Sequence, residues 1–224
     1  MSELPAAVLW DMDGTLVDTE PYWMARESAL VAEHGGRWTE SDAHSLVGND
    51  LLVSAAALRE RGGVRLELAE IVAFLLDGVV EQTRASVPWR PGARELLAQL
   101  REQGVPCALV TMSYQALAGA VVEALPPESF STLVTGDQLS RGKPFPDAYQ
   151  EAARRLGRAP GECLAIEDSL TGVTSAEAAG VPTLAVEHLV AIPDAPGRRV
   201  IGTLAGVRVE DLRAWHDELA RAAL

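Results

Sequence analysis

Asp11 and Asp13 stand one residue apart at the end of an apolar run, in AVLWDMDGTLVDTE, where Asp18 and Glu20 bring the acids to four within ten residues. Carboxylates that close repel, and the arrangement costs free energy unless a cation or a reaction uses it. Further along, Thr111, Met112 and Ser113 close a second apolar run, Lys143 stands in TGDQLSRGKPFPD, and Glu167, Asp168 and Ser169 close a third in ECLAIEDS. Three or four carboxylates, with a backbone carbonyl and water, form a hard oxygen set that suits Mg²⁺ rather than a thiolate-seeking metal. One lysine and two hydroxyls, with the backbone N–H groups of the turn Thr111–Ser113, are what a phosphate group needs. A carboxylate beside both can also act as a nucleophile, through an aspartyl-phosphate.

Each piece, taken singly, has an ordinary reading. Asp11 and Asp13 with Gly14 describe a turn, and Thr111 a cap for the helix that follows. Lys143 before Pro144 describes a surface lysine, and the acids of EDS a dipole-favourable helix start. His34 reads as a helix-end residue, while His44, His188 and His216 have no partner pattern, which argues against a histidine nucleophile. The order of the acids, hydroxyls and lysine along the chain is what joins them.

The elements that would position these residues are short apolar runs: AAVLW at 6–10, VPCALV at 105–110, STLV at 131–134, CLAI at 163–166 and TLAV at 183–186. Amphipathic segments such as ARELLAQLREQG and SAEAAG lie between the later runs and end in glycine, as helices closed by a left-handed residue do. Continuously apolar strands alternating with helices predict an α/β fold, a Rossmann-like, mainly parallel sheet covered on both faces. Ligands of such sheets bind outside the carboxyl ends of the strands, so groups scattered over the chain can meet in one pocket.

Residues 17–86 break the alternation. PYWMARESALVAEHG, DLLVSAAALRERGG and LAEIVAFLLDGVVEQTRA all carry helical spacing, and no strand interrupts them. The expected organisation is a core of residues 1–16 and 87–224 with a helical insertion at 17–86, hinged near Leu16–Glu20 and at the proline-rich SVPWRPG. In the tail, a short strand is expected near Val200, then a helix that sets Val209, Leu212, Trp215 and Leu219 on one face.

Nineteen Lys and Arg against 32 Asp and Glu leave a net charge of −13, which argues against nucleic acid or an anionic membrane as partner. Cys107 and Cys163 each sit inside an apolar run and read as buried, reduced thiols. No basic leader precedes the first strand and no run approaches 18 apolar residues, so a soluble cytoplasmic protein is expected.

In this order the residues resemble the haloacid dehalogenase superfamily of phosphatases and phosphomutases, over nearly the whole chain. DMDGTLVDTE is similar to its first motif, LVTMS to its second, GKPFPDAY to its third and AIEDSLTGV to its fourth. The helical insertion resembles the cap of the subgroup that contains beta-phosphoglucomutase and many small-metabolite phosphatases. The resemblance implies that Asp11 attacks phosphorus while its other oxygen meets Mg²⁺. It implies that Asp13 moves the proton and lends its backbone carbonyl to the metal. Thr111, Met112, Ser113 and Lys143 would bind the transferring phosphate, Lys143 also holding Asp11, and Asp168 would ligate the metal. Glu167 would be either a ligand or one shell further out.

The same resemblance separates activities. Asp13 is present where the dehalogenases lack an acid, and the helices up to Ala85 contain no lysine for a Schiff base. Trp23 stands where the mutase subgroup has a cap histidine, which favours a phosphatase over an intramolecular phosphomutase. A silent phosphate-binding module is disfavoured by the intact set Asp11, Asp13, Thr111, Lys143 and Asp168. The expected partner is a small phosphorylated metabolite and the expected state a monomer. Tyr22, Trp23, Arg26 and Asn49 are candidates to face the substrate, although helix-spaced aromatics also read as core. Trp10 reads as core, and Asp18 and Glu20 as the start of the first helix of the insertion.

Overall fold

The computed structural model describes residues 4–47 and 50–222. The chain divides into two compact units, one of Met1–Asp18 with Trp89–Leu224 and one of Thr19–Pro88.

Six strands form the sheet of the first unit: β1 (Ala7–Trp10), β2 (Cys107–Val110), β3 (Thr132–Val134), β4 (Cys163–Glu167), β5 (Thr183–Val186) and β6 (Arg198–Ile201). Their order is β3-β2-β1-β4-β5-β6 and every pairing is parallel. The α/β expectation holds. Strands β1, β2, β4 and β5 are buried from end to end, which explains why they read as unbroken apolar runs rather than alternating ones. Trp10 is fully buried on β1, between Leu109 and Ile166. The second strand starts at Cys107 rather than Val105, because Pro106 has no N–H to add to the ladder.

The second unit is helical: α1 (Glu20–Glu33), α2 (Glu40–His44), α3 (Leu51–Glu60) and α4 (Leu68–Ala85). Helix α4 packs against both α1 and α3, and its Ile71, Leu75 and Val79 are fully buried. Helix α2 is too short to show a period; its start is a capping box in which Thr39 and Asp42 each bond the other's backbone. Arg61, just past α3, pairs with Asp42 and lies over the Trp38 ring at 5.2 Å. Asn49, one of the residues expected to face substrate, lies outside the described residues.

The first unit adds α5 (Ala93–Glu102), α6 (Gln115–Glu123), α7 (Asp147–Leu156), α8 (Leu170–Ala178) and α9 (Val209–Ala222). Leu9, Val110 and Ala165 on one face of the sheet meet Ala148, Tyr149 and Ala152 of α7 and Ala176 of α8 in a single apolar cluster. Small alanines let α7 lie close to the strands, and Tyr149 fills the space they leave. On α9, Val209, Leu212 and Leu219 are buried, whereas Trp215 stays half-buried with the Arg199 guanidinium 4.8 Å from its ring centroid.

One expectation is corrected. Asp18 does not start the first helix of the insertion; α1 starts at Glu20 behind Thr19, with Pro21 in its first turn. Asp18 stays in the first unit, its Oδ1 3.5 Å from Nε2 of His188, which follows β5. Residues 170 positions apart leave no mark of such a pairing in the sequence.

Candidate active site

The chain leaves β1 toward β2 and β3 on one side and returns through β4, β5 and β6 on the other, so the switch in strand order lies where β1 and β4 run side by side. Asp11 follows β1 and Glu167 ends β4, and the Asp11 N–H bonds the Ile166 carbonyl at 2.9 Å. Neighbouring strand ends thereby bring three acids together: Asp11, Glu167 and Asp168 each offer a carboxylate oxygen, all within 4.8 Å of one another.

Lys143 enters this cluster from the loop between β3 and α7, its side chain only 5% exposed. Its Nζ donates to Asp11 Oδ1 at 2.6 Å, to Glu167 Oε1 at 2.6 Å and to the Val110 carbonyl at 2.9 Å, which uses all three of its protons. Burial alone would lower its pKa; the charges of Asp11 and Glu167 outweigh that and hold it above its ordinary value. Lys143 is also the one lysine in the sequence, beside 18 arginines, a compositional signal legible before any fold.

Glu167 is fully buried and fully satisfied. Oε1 accepts from Lys143 and, at 2.8 Å, from the Tyr149 hydroxyl, while Oε2 accepts from the Asp168 N–H, the Ser169 N–H and the Ser169 hydroxyl at 3.1–3.2 Å. Ser169 does cap α8, accepting from the Gly172 N–H at 3.0 Å. Tyr149 is held in its neutral form, well above its ordinary pKa, by burial first and then by the Glu167 charge.

Asp11 differs. Its Oδ1 is held by Lys143, but its Oδ2 is buried with no hydrogen-bond partner. Burial, then the Glu167 charge, push its carboxyl well above the usual range against the pull of Lys143. Asp168, bonded by the Thr15 hydroxyl at 3.3 Å, is pushed up to about 7 by burial first and Glu167 second. Three acids against one lysine leave excess negative charge at one point. Gly14, at φ +89°, makes the approach possible, since a Cβ there would stand 1.9 Å from Asp168 Oδ2.

A second group gathers at the end of β2. Ser113 Oγ donates to Asp13 Oδ2 at 2.7 Å and Thr111 Oγ to the same oxygen at 3.3 Å. Thr111 caps no helix: its Oγ accepts the Ser113 N–H at 2.9 Å, and α6 starts later, behind Tyr114. The Met112 side chain turns toward the lysine loop, where its Sδ accepts the Lys143 N–H at 3.2 Å. Thr15 and Tyr149 lie inside DMDGTLVDTE and GKPFPDAY, yet residue type and spacing give neither a role at the site.

In the helical unit the candidate residues have local partners. The Tyr22 hydroxyl donates to the Ser86 carbonyl at 2.9 Å, and Trp23 is half-buried. The Arg26 guanidinium lies 4.2 Å from the Phe74 ring centroid and reaches the Phe74 carbonyl at 3.4 Å, over Gly78, where a Cβ would collide with it.

Residues 5–180 match the model of the haloacid dehalogenase-like hydrolase family. The chain is 36% identical to hexitol phosphatase A of Escherichia coli K12 over 80% of its own length and 81% of that protein's. It is 30% identical to a bifunctional riboflavin kinase/FMN phosphatase of Arabidopsis thaliana over 94% of its own length, and spans 56% of that larger protein. Among solved structures, a point mutant of CbbY from Rhodobacter sphaeroides in complex with xylulose-(1,5)bisphosphate is 26% identical, with a TM-score of 0.80 over 92% of this chain and 96% of that one.

Proposed function

The chain belongs to the haloacid dehalogenase-like hydrolase family, and from that premise we propose that it is a Mg²⁺-dependent phosphatase acting on a small phosphorylated carbohydrate or polyol through an aspartyl-phosphate. The observation that carries the reading is the unequal treatment of Asp11: one oxygen fixed by Lys143 at 2.6 Å, the other buried without a partner.

The donor set fits a divalent cation. Asp11 Oδ2 is a buried oxygen in need of a positive partner, and Asp168 adds a second carboxylate. Asp11, Asp168 and the Asp13 backbone carbonyl would hold the metal. Glu167, with five donors on two oxygens, has no lone pair to spare and serves Lys143 instead. Bound Mg²⁺ would supply charge neutralisation at the phosphoryl oxygens.

The residues then divide the chemistry. The Asp11 carboxylate forms a bond to phosphorus as the ester P–O bond breaks, and Asp13 gives its proton to the departing alkoxide. Asp13 next takes a proton from water, whose oxygen attacks the phosphoaspartate, and inorganic phosphate leaves with Asp11 restored. Lys143 keeps Asp11 aimed and offsets charge as it builds, and Thr111 and Ser113 offer hydroxyls to the phosphoryl oxygens. Hydrolysis rather than intramolecular transfer is supported by Trp23 in place of a cap histidine and by the commitment of the one lysine to Asp11 and Glu167. A carbohydrate or polyol substrate is supported by the hexitol phosphatase and by the bisphosphate-bound CbbY. The two buried, unpaired thiols support a cytoplasmic setting, and the working form is proposed as a monomer.

The test is release of phosphate from p-nitrophenyl phosphate and from a panel of sugar and polyol phosphates. Turnover should need Mg²⁺, stop on chelation, and vanish in Asp11→Asn with the fold intact. Unchanged turnover in that variant overturns the proposal, as does isomer formation without phosphate release from a sugar 1-phosphate and its bisphosphate.

A further inference from the structure

We infer that Tyr149 is a positioning residue of this site: its hydroxyl holds Glu167 so that Glu167 and Asp11 together fix the Lys143 ammonium. The inference rests on the phosphatase reading for its kinetic part only. Three contacts in series make the connection, Tyr149 Oη to Glu167 Oε1 at 2.8 Å, Lys143 Nζ to the same oxygen at 2.6 Å, and Lys143 Nζ to Asp11 Oδ1 at 2.6 Å.

The physical need is specific. A carboxylate at zero exposure is tolerated only with its lone pairs filled, and the Glu167 oxygens differ in how they fill them. Oε2 is bound by groups of its own loop, the Asp168 N–H and the Ser169 N–H and hydroxyl, which come with the chain turn. Oε1 has only side-chain donors from elsewhere, Lys143 and Tyr149. Without the tyrosine, Lys143 is the sole donor left to Oε1, and the balance of the ammonium between Asp11 and Glu167 tips toward Glu167. The Tyr149 ring adds a second constraint, its centroid 5.1 Å from Lys143 Nζ. A phenylalanine would have filled the same place among Leu9, Val110 and Ala165 without any polar atom to satisfy. Packing therefore accounts for the ring and leaves the hydroxyl to Glu167.

Tyr149→Phe isolates that hydroxyl, because the ring, its packing and its contact with the ammonium remain. With Mg²⁺ and p-nitrophenyl phosphate, kcat should fall at least about tenfold, the fold-change of one lost hydrogen bond to a charged group, while KM stays within about twofold. In a Glu167→Gln background the same substitution should change kcat less than about twofold, since the hydroxyl acts through the carboxylate. Equal losses in both backgrounds, or none in either, overturn the inference. A readout without turnover comes from the lysine itself. Protein labelled with ¹⁵N-lysine and free of metal should give one side-chain ammonium resonance, sharp and slow to exchange, which Tyr149→Phe shifts or broadens. An unmoved resonance rejects the positioning role even if no phosphate ester is turned over. A resonance moved by Tyr149→Phe, with a wild-type protein that hydrolyses nothing, rejects the phosphatase reading and leaves the Tyr149 contact standing. Tyr149→Leu, which also removes the ring, checks folding by its thermal midpoint.

Discussion

Gly172 faces Glu167 so closely that a β-carbon there would stand 1.7 Å from Glu167 Oε1. The glycine lies inside α8, where alanine would ordinarily be the better residue by about 0.5–1 kcal/mol. Here the gain is outweighed, because the side chain that must move is the carboxylate holding Lys143 and Tyr149. Gly172→Ala is expected to lower stability by about 1–3 kcal/mol, the range for overpacking a filled core, and to reduce turnover as well. Thermal unfolding of the two proteins decides it; a raised midpoint would show that Glu167 gives way freely.

Lys143→Arg tests why a chain with 18 arginines keeps one lysine. An ammonium on a flexible stem can point three protons at Asp11 Oδ1, Glu167 Oε1 and the Val110 carbonyl at once. A planar guanidinium is bulkier and presents a fork, so it cannot meet three acceptors disposed around a point. The variant keeps the charge, which separates geometry from electrostatics. Its kcat is expected to fall about 10²–10³-fold, as for loss of a preorganised charge-stabilising donor, with the circular dichroism spectrum unchanged. Activity within tenfold of wild type would mean that charge alone suffices.

Much of this site is legible in the sequence because parallel strands are read as apolar runs, and the residue after such a run falls at the carboxyl edge of the sheet. Asp11, Thr111 and Glu167 could be placed that way, and Lys143 by its motif. Tyr149 could not. It sits on α7 in a row of buried alanines, where an aromatic reads as packing, and its partner Glu167 is 18 residues away on another element. Helix α2 is hidden by length, since five residues carry no period, although its Thr39–Asp42 box is a written start signal. The Asp18–His188 pair joins two loops through the fold alone, which no local pattern encodes.

Glu27 carries a pH dependence that belongs to the helical unit. It is a carboxyl only 5% exposed, one oxygen buried without a partner, and burial pushes its pKa up to about 7 from an ordinary 4.5, against the lowering effect of Trp38. The folded state therefore holds a proton that the unfolded state releases, so stability falls as pH rises from about 4.5 through 7. The loss from this group alone amounts to about 3 kcal/mol at most. Other acids titrate in the same window, so the measurement is a difference: Glu27→Gln should gain stability relative to wild type from pH 5 to pH 8. Parallel curves for the two proteins would place the Glu27 charge elsewhere than in the apolar interior.

Thr111 and Ser113 both bond Asp13, yet their removal should not cost the same. Ser113 Oγ makes one bond, to Asp13 Oδ2 at 2.7 Å, and the turn survives without it, because the Ser113 N–H bonds Thr111 and the Ser113 carbonyl accepts the Gly136 N–H at 3.1 Å. Ser113→Ala is expected to lower kcat/KM about tenfold, one hydrogen bond to a charged group, with an unchanged thermal midpoint. Thr111 Oγ donates to Asp13 and also accepts the Ser113 N–H, so Thr111→Ala frees a half-buried donor and loosens the turn whose N–H groups would face the phosphate. Its loss should exceed that of Ser113→Ala by a further tenfold or so, and Thr111→Ser, which keeps the oxygen, should recover most of it. Steady-state kinetics of the three variants on p-nitrophenyl phosphate give the comparison. Equal losses for Thr111→Ala and Ser113→Ala would mean that the turn holds its shape through the backbone alone and that the two hydroxyls matter only for Asp13.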